Sequence, residues 1–114
     1  MTEKYVREDG KIAVLVSAGY GAGWSTWNTV YEEVAEALLF DADVVKMVLE
    51  DRFDEIEEFV TTKYKDMVGG GWLVTSGAKE LYVEWVDKGE RFIIDEYDGA
   101  EYLVRERESY WYEA

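Results

Sequence analysis

The residues best equipped for chemistry stand in one run, Gly19-Tyr20-Gly21-Ala22-Gly23-Trp24-Ser25-Thr26-Trp27-Asn28. Glycines at alternate positions, Gly19, Gly21 and Gly23, let the backbone take left-handed angles and let another group approach closely. Successive amides in such a loop, with the free amides of a helix start, form a nest for an anion. Tyr20, Trp24 and Trp27 offer flat faces on which a base can stack. Ser25, Thr26 and Asn28 offer groups that can read polar edges. The run does not match the phosphate loop of nucleotidases, because no Lys-Ser or Lys-Thr pair closes it. It does not match the dinucleotide fingerprint either, since the third glycine comes one position early and no repeated βαβ pattern follows. An anionic ligand would need a counter-charge, for which Arg91 and Lys79 are candidates. The competing expectation is a tight strand-to-helix turn whose tryptophans pack under the sheet, because aromatics beside turns commonly anchor a core.

Other constellations carry less. Asp95, Glu96, Asp98 and Glu101 crowd one turn, and paired carboxylates can serve acid–base catalysis or hold a hard cation. Strand alternation puts Asp95 and Glu96 on opposite faces, and an Asp-Gly turn accounts for Asp98 without a ligand. Residues 50–58 hold six acids, Glu50, Asp51, Asp54, Glu55, Glu57 and Glu58, against one base, Arg52. They read as a solvated helical face, or as an acidic surface for a basic partner. Near the end, Arg105 and Arg107 alternate with Glu106 and Glu108 before Tyr110-Trp111-Tyr112. Three adjacent aromatics call for cover from the chain's own sheet or from a second copy.

The elements that must position these groups follow from hydrophobic period. Residues 12–16 are continuously apolar and rich in β-branched side chains, the pattern of a central strand buried on both faces. Residues 29–40 place Val30, Val34, Ala37 and Leu38 at helical spacing, with Asn28 or Thr29 as N-cap and Glu32 set for a capping box. Asp41 caps a second helix over 42–50, with Val44, Val45, Val48 and Leu49 inward. Asp51 caps a third over 53–64, with Ile56, Phe59, Val60 and Tyr64 inward. Gly69-Gly70-Gly71 ends the helical half. Residues 72–75 suggest a short strand. Residues 81–86 alternate as a strand, Asp87-Lys88-Gly89 turns, and 91–97 returns as the second arm of a hairpin. Asp98-Gly99 marks another turn, and 102–104 adds an edge strand. Strand, helices and then strands spell an α+β fold, a mostly antiparallel sheet with two or three helices packed on one face.

Composition narrows the chemistry. The chain of 114 residues is the size of one domain, and 48% apolar residues suffice for its core. There is no cysteine, which excludes disulfides, thiolate zinc sites and cysteine nucleophiles. The absence of histidine removes the commonest general base and metal ligand. A net charge of −14 repels nucleic acid and anionic membranes. No apolar run reaches the ~18–20 residues of a membrane span. The opening MTEKYVREDGK lacks the apolar core of a secretory signal.

The glycine-aromatic run, Leu39-Phe40-Asp41, Glu84-Trp85-Val86 and Glu96-Tyr97-Asp98-Gly99 together resemble an uncharacterised family of small bacteriophage and prophage proteins. The likeness spans residues 11–101. It departs at the triple glycine, at Trp72-Leu73-Val74-Thr75 and at the aromatic tail. The resemblance implies a viral origin and the cytoplasm of a host bacterium as the setting. It implies no reaction and no cofactor.

The expectation is therefore one acidic domain that binds rather than catalyses, with no catalytic residue, metal or cofactor. Its ligand would be small and nucleotide-like, held by Gly19, Tyr20, Gly21, Gly23, Trp24, Ser25, Thr26, Trp27, Asn28 and Arg91. In a phage this would sequester an immune signal of the host. The alternative is an acidic decoy that inhibits a basic, nucleic-acid-binding host protein. Neither needs direct nucleic acid or membrane contact, and both are compatible with a homo-oligomer.

Overall fold

The apolar run forms β1 (Ile12–Ser17), and Ala13, Val14, Leu15 and Val16 are wholly buried. A computed structural model describes residues 3–106 of the chain. Alternation sends Ala13 and Leu15 to one side of β1, and Val14 and Val16 to the other. Each side meets its own apolar cluster, as a strand buried on both faces requires. Such burial contributes roughly 1.5–3 kcal/mol per large aliphatic side chain.

The first side is helical. It comprises α1 (Glu32–Phe40), α2 (Ala42–Leu49), α3 (Ile56–Lys63) and the short α4 (Lys65–Val68). Val34, Ala37 and Leu38 of α1, Val44 and Val45 of α2, and Ile56 and Val60 of α3 pack with Leu15. The opposite side is covered by a hairpin of β3 (Phe92–Tyr97) and β4 (Ala100–Arg105), whose Phe92, Ile94 and Leu103 lie on Val14, Val16 and Val86. Helices, the β1 layer and the hairpin are thus three stacked layers of an α+β fold.

The antiparallel strands form two ladders. β2 (Leu81–Val86) pairs with β1, from Ile12↔Val86 to Ser17↔Leu81. β3 pairs with β4, from Phe92↔Arg105 to Tyr97↔Ala100. The expected hairpin of 81–86 with 91–97 is not made. Its turn does form, with Gly89 at φ 79 and the Glu90 amide bonded to the Asp87 carbonyl, but it carries the chain from one layer to the next. Physically, β1 lies between two apolar layers, so its backbone must be paired within the fold. β2 suits that place because both its faces are apolar: Leu81, Val83 and Trp85 pack towards the helices, Tyr82 and Val86 towards the hairpin. β3 has an exposed face, with Ile93, Asp95 and Tyr97, and belongs outside. The other edge of β1 is met by the Tyr5 carbonyl, which accepts from the Ala13 amide at 3.0 Å.

Local signals vary in how well they hold. Asp98 and Gly99 both take positive φ, 49 and 88, in the two-residue turn that joins β3 to β4. Asp41 caps α2, its Oδ1 accepting from the Asp43 and Val44 amides. Asp51 does not cap a helix. It adopts φ 57 after α2, and the chain reaches α3 through a 3-10 turn at Phe53–Glu55. Asn28, Thr29 and the Glu32 capping box likewise fail for α1, which Tyr31 precedes with no side-chain cap. Val30 is 81% exposed rather than in the core, because residues 25–28 coil into a separate 3-10 turn. In α2, Met47 is buried and Leu49 half-exposed, the reverse of the expected register at that end. Residues 72–75 make no strand. The triplet Tyr110-Trp111-Tyr112, with Arg107 and Glu108, lies outside the described residues. Among the described residues, no helix is long and apolar enough to cross a membrane.

Candidate functional site

The amides of Trp24 and Thr26, with that of Ser17 before the run, form an anion nest that the protein fills with its own carboxylate, and none of the glycine amides takes part. Glu101 lies on the inward face of β4 and is buried. Its Oε1 accepts from the Ser17 amide at 3.1 Å. Its Oε2 accepts from the Trp24 amide at 2.9 Å, the Thr26 amide at 3.0 Å and the Thr26 hydroxyl at 2.5 Å. These donors converge because the chain leaves β1 at Ser17 and then coils at Ser25–Asn28, which frees the first amides of that turn. A buried carboxylate needs such partners, since desolvation of an unpaired one is prohibitive. Sequence reasoning placed Glu101 in an acidic turn and missed this role. The available signal was a glutamate sharing a strand face with Leu103.

The other residues of the run are spent inside the fold as well. Trp24 is fully buried in the helical cluster, and its Nε1 donates to the Leu38 carbonyl at 3.0 Å. It has no face for a ligand. Trp27 is 37% exposed, with its ring laid over two glycines. A Cβ on Gly23 would sit 2.2 Å from Trp27 Cγ, and one on Gly99 would sit 2.6 Å from Trp27 Cζ2. Those glycines therefore serve the ring. Asn28 is buried, donating to the carbonyls of Trp24 and Val74 and accepting from the Val74 amide. Ser25 is buried too. The Ser17 hydroxyl donates to the Ala22 carbonyl, and the Gly21 amide to the Asp98 carbonyl in the hairpin turn.

What stays open is the rim. Tyr20 is 77% exposed, and its ring meets exposed Tyr97 edge to face, with centroids 6.4 Å apart. Beside Tyr20 and Gly21 runs a groove of about 980 Å³ whose walls include Phe53, Asp54, Glu57, Lys79 and Glu80. Gly19 adjoins it, and a Cβ there would press on Glu80 Cγ at 2.8 Å. Lys79 stands 3.4 Å from Asp54 in an exposed pair. Arg91 does not join this site. It sits before β3, six residues from Tyr97, which is about 20 Å along a strand, and pairs with Glu106 at 3.7 Å.

Comparison with protein-family models, with curated proteins and with solved structures finds no match for this chain. The site has to be read from its own geometry.

A second buried carboxylate, Asp41, serves structure in another way. Beyond capping α2, its Oδ2 accepts from Lys63 Nζ at 2.8 Å and from the Tyr64 hydroxyl at 2.5 Å. Burial, and then the Asp41 hydrogen bond, push the Tyr64 pKa up. Around the hairpin turn, Asp95 and Glu96 face opposite ways, as alternation requires. Asp95 accepts from the Tyr102 hydroxyl, which raises the Tyr102 pKa, while Glu96 accepts from the Gly99 amide. At the hairpin base Arg105 bonds Glu90 and the Trp85 carbonyl, both at 2.8 Å. Among the described residues, no three acidic side chains come together as a metal would need. The arrangement braces the fold; its polar groups are engaged in hydrogen bonds that hold the layers together.

Proposed function

We propose that this chain is a non-catalytic binding protein that docks on a basic protein partner. The observation that carries this reading is Glu101 in the nest. With the Trp24 and Thr26 amides committed to an internal anion, and those of Gly21 and Ala22 to backbone carbonyls, an incoming phosphate finds few free donors. Trp24 is unavailable for stacking, Arg91 lies far away, and the groove beside Tyr20 is acidic. These features weigh against a nucleotide-like ligand held by the run.

The surface supports a cationic partner instead. Glu32, Glu33, Glu36, Glu57 and Glu58 are exposed on the helical layer, and none is in an ion pair among the described residues. Carboxylates left unneutralised at this density steer basic proteins and weaken with salt. The resemblance to phage proteins suggests a bacterial cytoplasm as the setting and a nucleic-acid-binding protein of the host as the partner, inhibited as by a decoy.

The test is affinity capture from bacterial lysate, run beside an unrelated acidic protein of matched charge. Basic proteins should be retained at low salt by this chain, beyond the control, and released as salt rises. Retention no greater than the control would overturn the reading. Calorimetry with cyclic nucleotides should give no heat. Heat that disappears in Tyr20→Ala would restore the nucleotide reading.

A further inference from the structure

We infer that the groove between Tyr20 and Phe53 is where an arginine-bearing segment of the partner docks. The inference rests on the basic-partner reading and names the place and the side chain recognised.

Charge comes first. Asp54, Glu57 and Glu80 line the groove against a single ammonium, that of Lys79, which stands 3.4 Å from Asp54. Glu57 and Glu80 are in no ion pair among the described residues. A site so lined repels phosphate and carboxylate and attracts guanidinium or ammonium. The groove, at about 980 Å³, has room for a side chain of a partner.

The exposed ring favours arginine. Tyr20 presents an aromatic ring that is 77% exposed and braced edge to face by Tyr97. Among the described residues, none of its atoms is used in a hydrogen bond that builds the fold, whereas Trp24, Asn28 and Thr26 beside it are all so used. A planar guanidinium can stack on that ring while its N–H groups reach a carboxylate in a fork. The backbone holding Tyr20 is also fixed. Gly21 is tied to Asp98, and the glycine at position 19 leaves room for the Glu80 side chain at the groove wall. The backbone beneath the ring is therefore held before a partner arrives, which lowers part of the entropy lost on binding.

Labelled peptides test this: arginine residues spaced by glycine and serine, and the same peptide with glutamate for arginine. Binding is read by fluorescence anisotropy at low salt against the full chain. The arginine peptide should bind and the glutamate peptide should not. Tyr20→Ala should weaken binding about 3–10-fold, the range of a cation–π contact. The double variant Glu57→Lys with Glu80→Lys should weaken it by tenfold or more, roughly. Glu33→Lys with Glu36→Lys, on α1, should change it less than about threefold after its charge is matched. All these positions are on the surface, and thermal melts confirm that each variant folds. If reversal at Glu33 and Glu36 weakens binding as much as reversal in the groove, the groove is not the site, and general acidic attraction stands. If the wild-type chain binds no arginine peptide, the inference is overturned, while affinity capture decides separately whether a basic protein binds.

Discussion

Glu101 and Asp41 are both buried carboxylates, and they are stabilised by different parts of the chain. Asp41 draws two of its hydrogen bonds from residues two and three positions ahead, and two more from Lys63 and Tyr64 on the adjoining helical segment. Glu101 draws all four from residues 75 to 84 positions away, and none of its donors is a cation. Asp41 fastens one helix start to a neighbouring helix. Glu101 fastens the outer hairpin to the end of β1 and to the loop that leads into α1. A carboxylate served by local amides costs one element when lost. One served by distant amides costs the relation between layers.

The largest effect expected is that of Glu101→Ala. It leaves three amides and a hydroxyl without their acceptor, so unfolding free energy should fall by roughly 3–5 kcal/mol, read by urea denaturation. Formate, which can enter the vacated nest, should recover part of this loss, while chloride at equal ionic strength should recover less. Equal stability of Glu101→Ala and wild type would break the comparison.

Asp41→Ala should cost less, about 2–3 kcal/mol. It removes a cap and leaves the Tyr64 hydroxyl unpaired, but Lys63 can turn to water. Hydrogen exchange sharpens the contrast: Asp41→Ala should speed exchange at the start of α2, and Glu101→Ala at residues 17–26 and in the hairpin together. Faster hairpin exchange in Asp41→Ala would show that the two anchors are not separate.

A smaller effect concerns pH. The Tyr64 pKa is raised in the folded state by burial and by Asp41, so the folded chain holds that proton more tightly than the unfolded chain does. The stabilisation is complete below the unfolded tyrosine value near pH 10, and declines as pH rises through and beyond it. Stability should therefore fall as pH rises above about 10, and Tyr64→Phe should flatten part of that slope. An unchanged slope in Tyr64→Phe would remove the phenol from the Asp41 anchor. The smallest effect is at the rim, where Tyr20→Ala should shift stability by no more than about 0.5 kcal/mol.

Part of this was legible before any coordinates. The unbroken apolar run at 12–16 announced a strand covered on both sides. Asp41 before an amphipathic stretch announced a cap, because a cap is made by groups two or three residues apart. Asp98-Gly99 announced a tight turn, since both residues tolerate positive φ. An anion nest near residues 19–28 was legible only in outline, for its donors are the amides of Ser17, Trp24 and Thr26 and none of the glycine amides. Its occupant was not, because Glu101 lies some 75 residues beyond Thr26 and looks like one acid among several. Nothing local separated Trp24, in the core, from Tyr20, on the rim. Arg91 looked like a counter-charge only until the hairpin carried it away from the loop.

By itself, then, the sequence determined the α+β class, most inward helix positions, one cap and one hairpin turn. These depend on groups within a few residues of one another, whose geometry follows from the helical and strand periods. Tertiary structure alone decided that β2 pairs with β1, that the hairpin forms an outer layer, and that Glu101 fills the nest. Those outcomes depend on which distant surfaces and polar groups can satisfy each other at once, a condition that no short stretch of chain encodes.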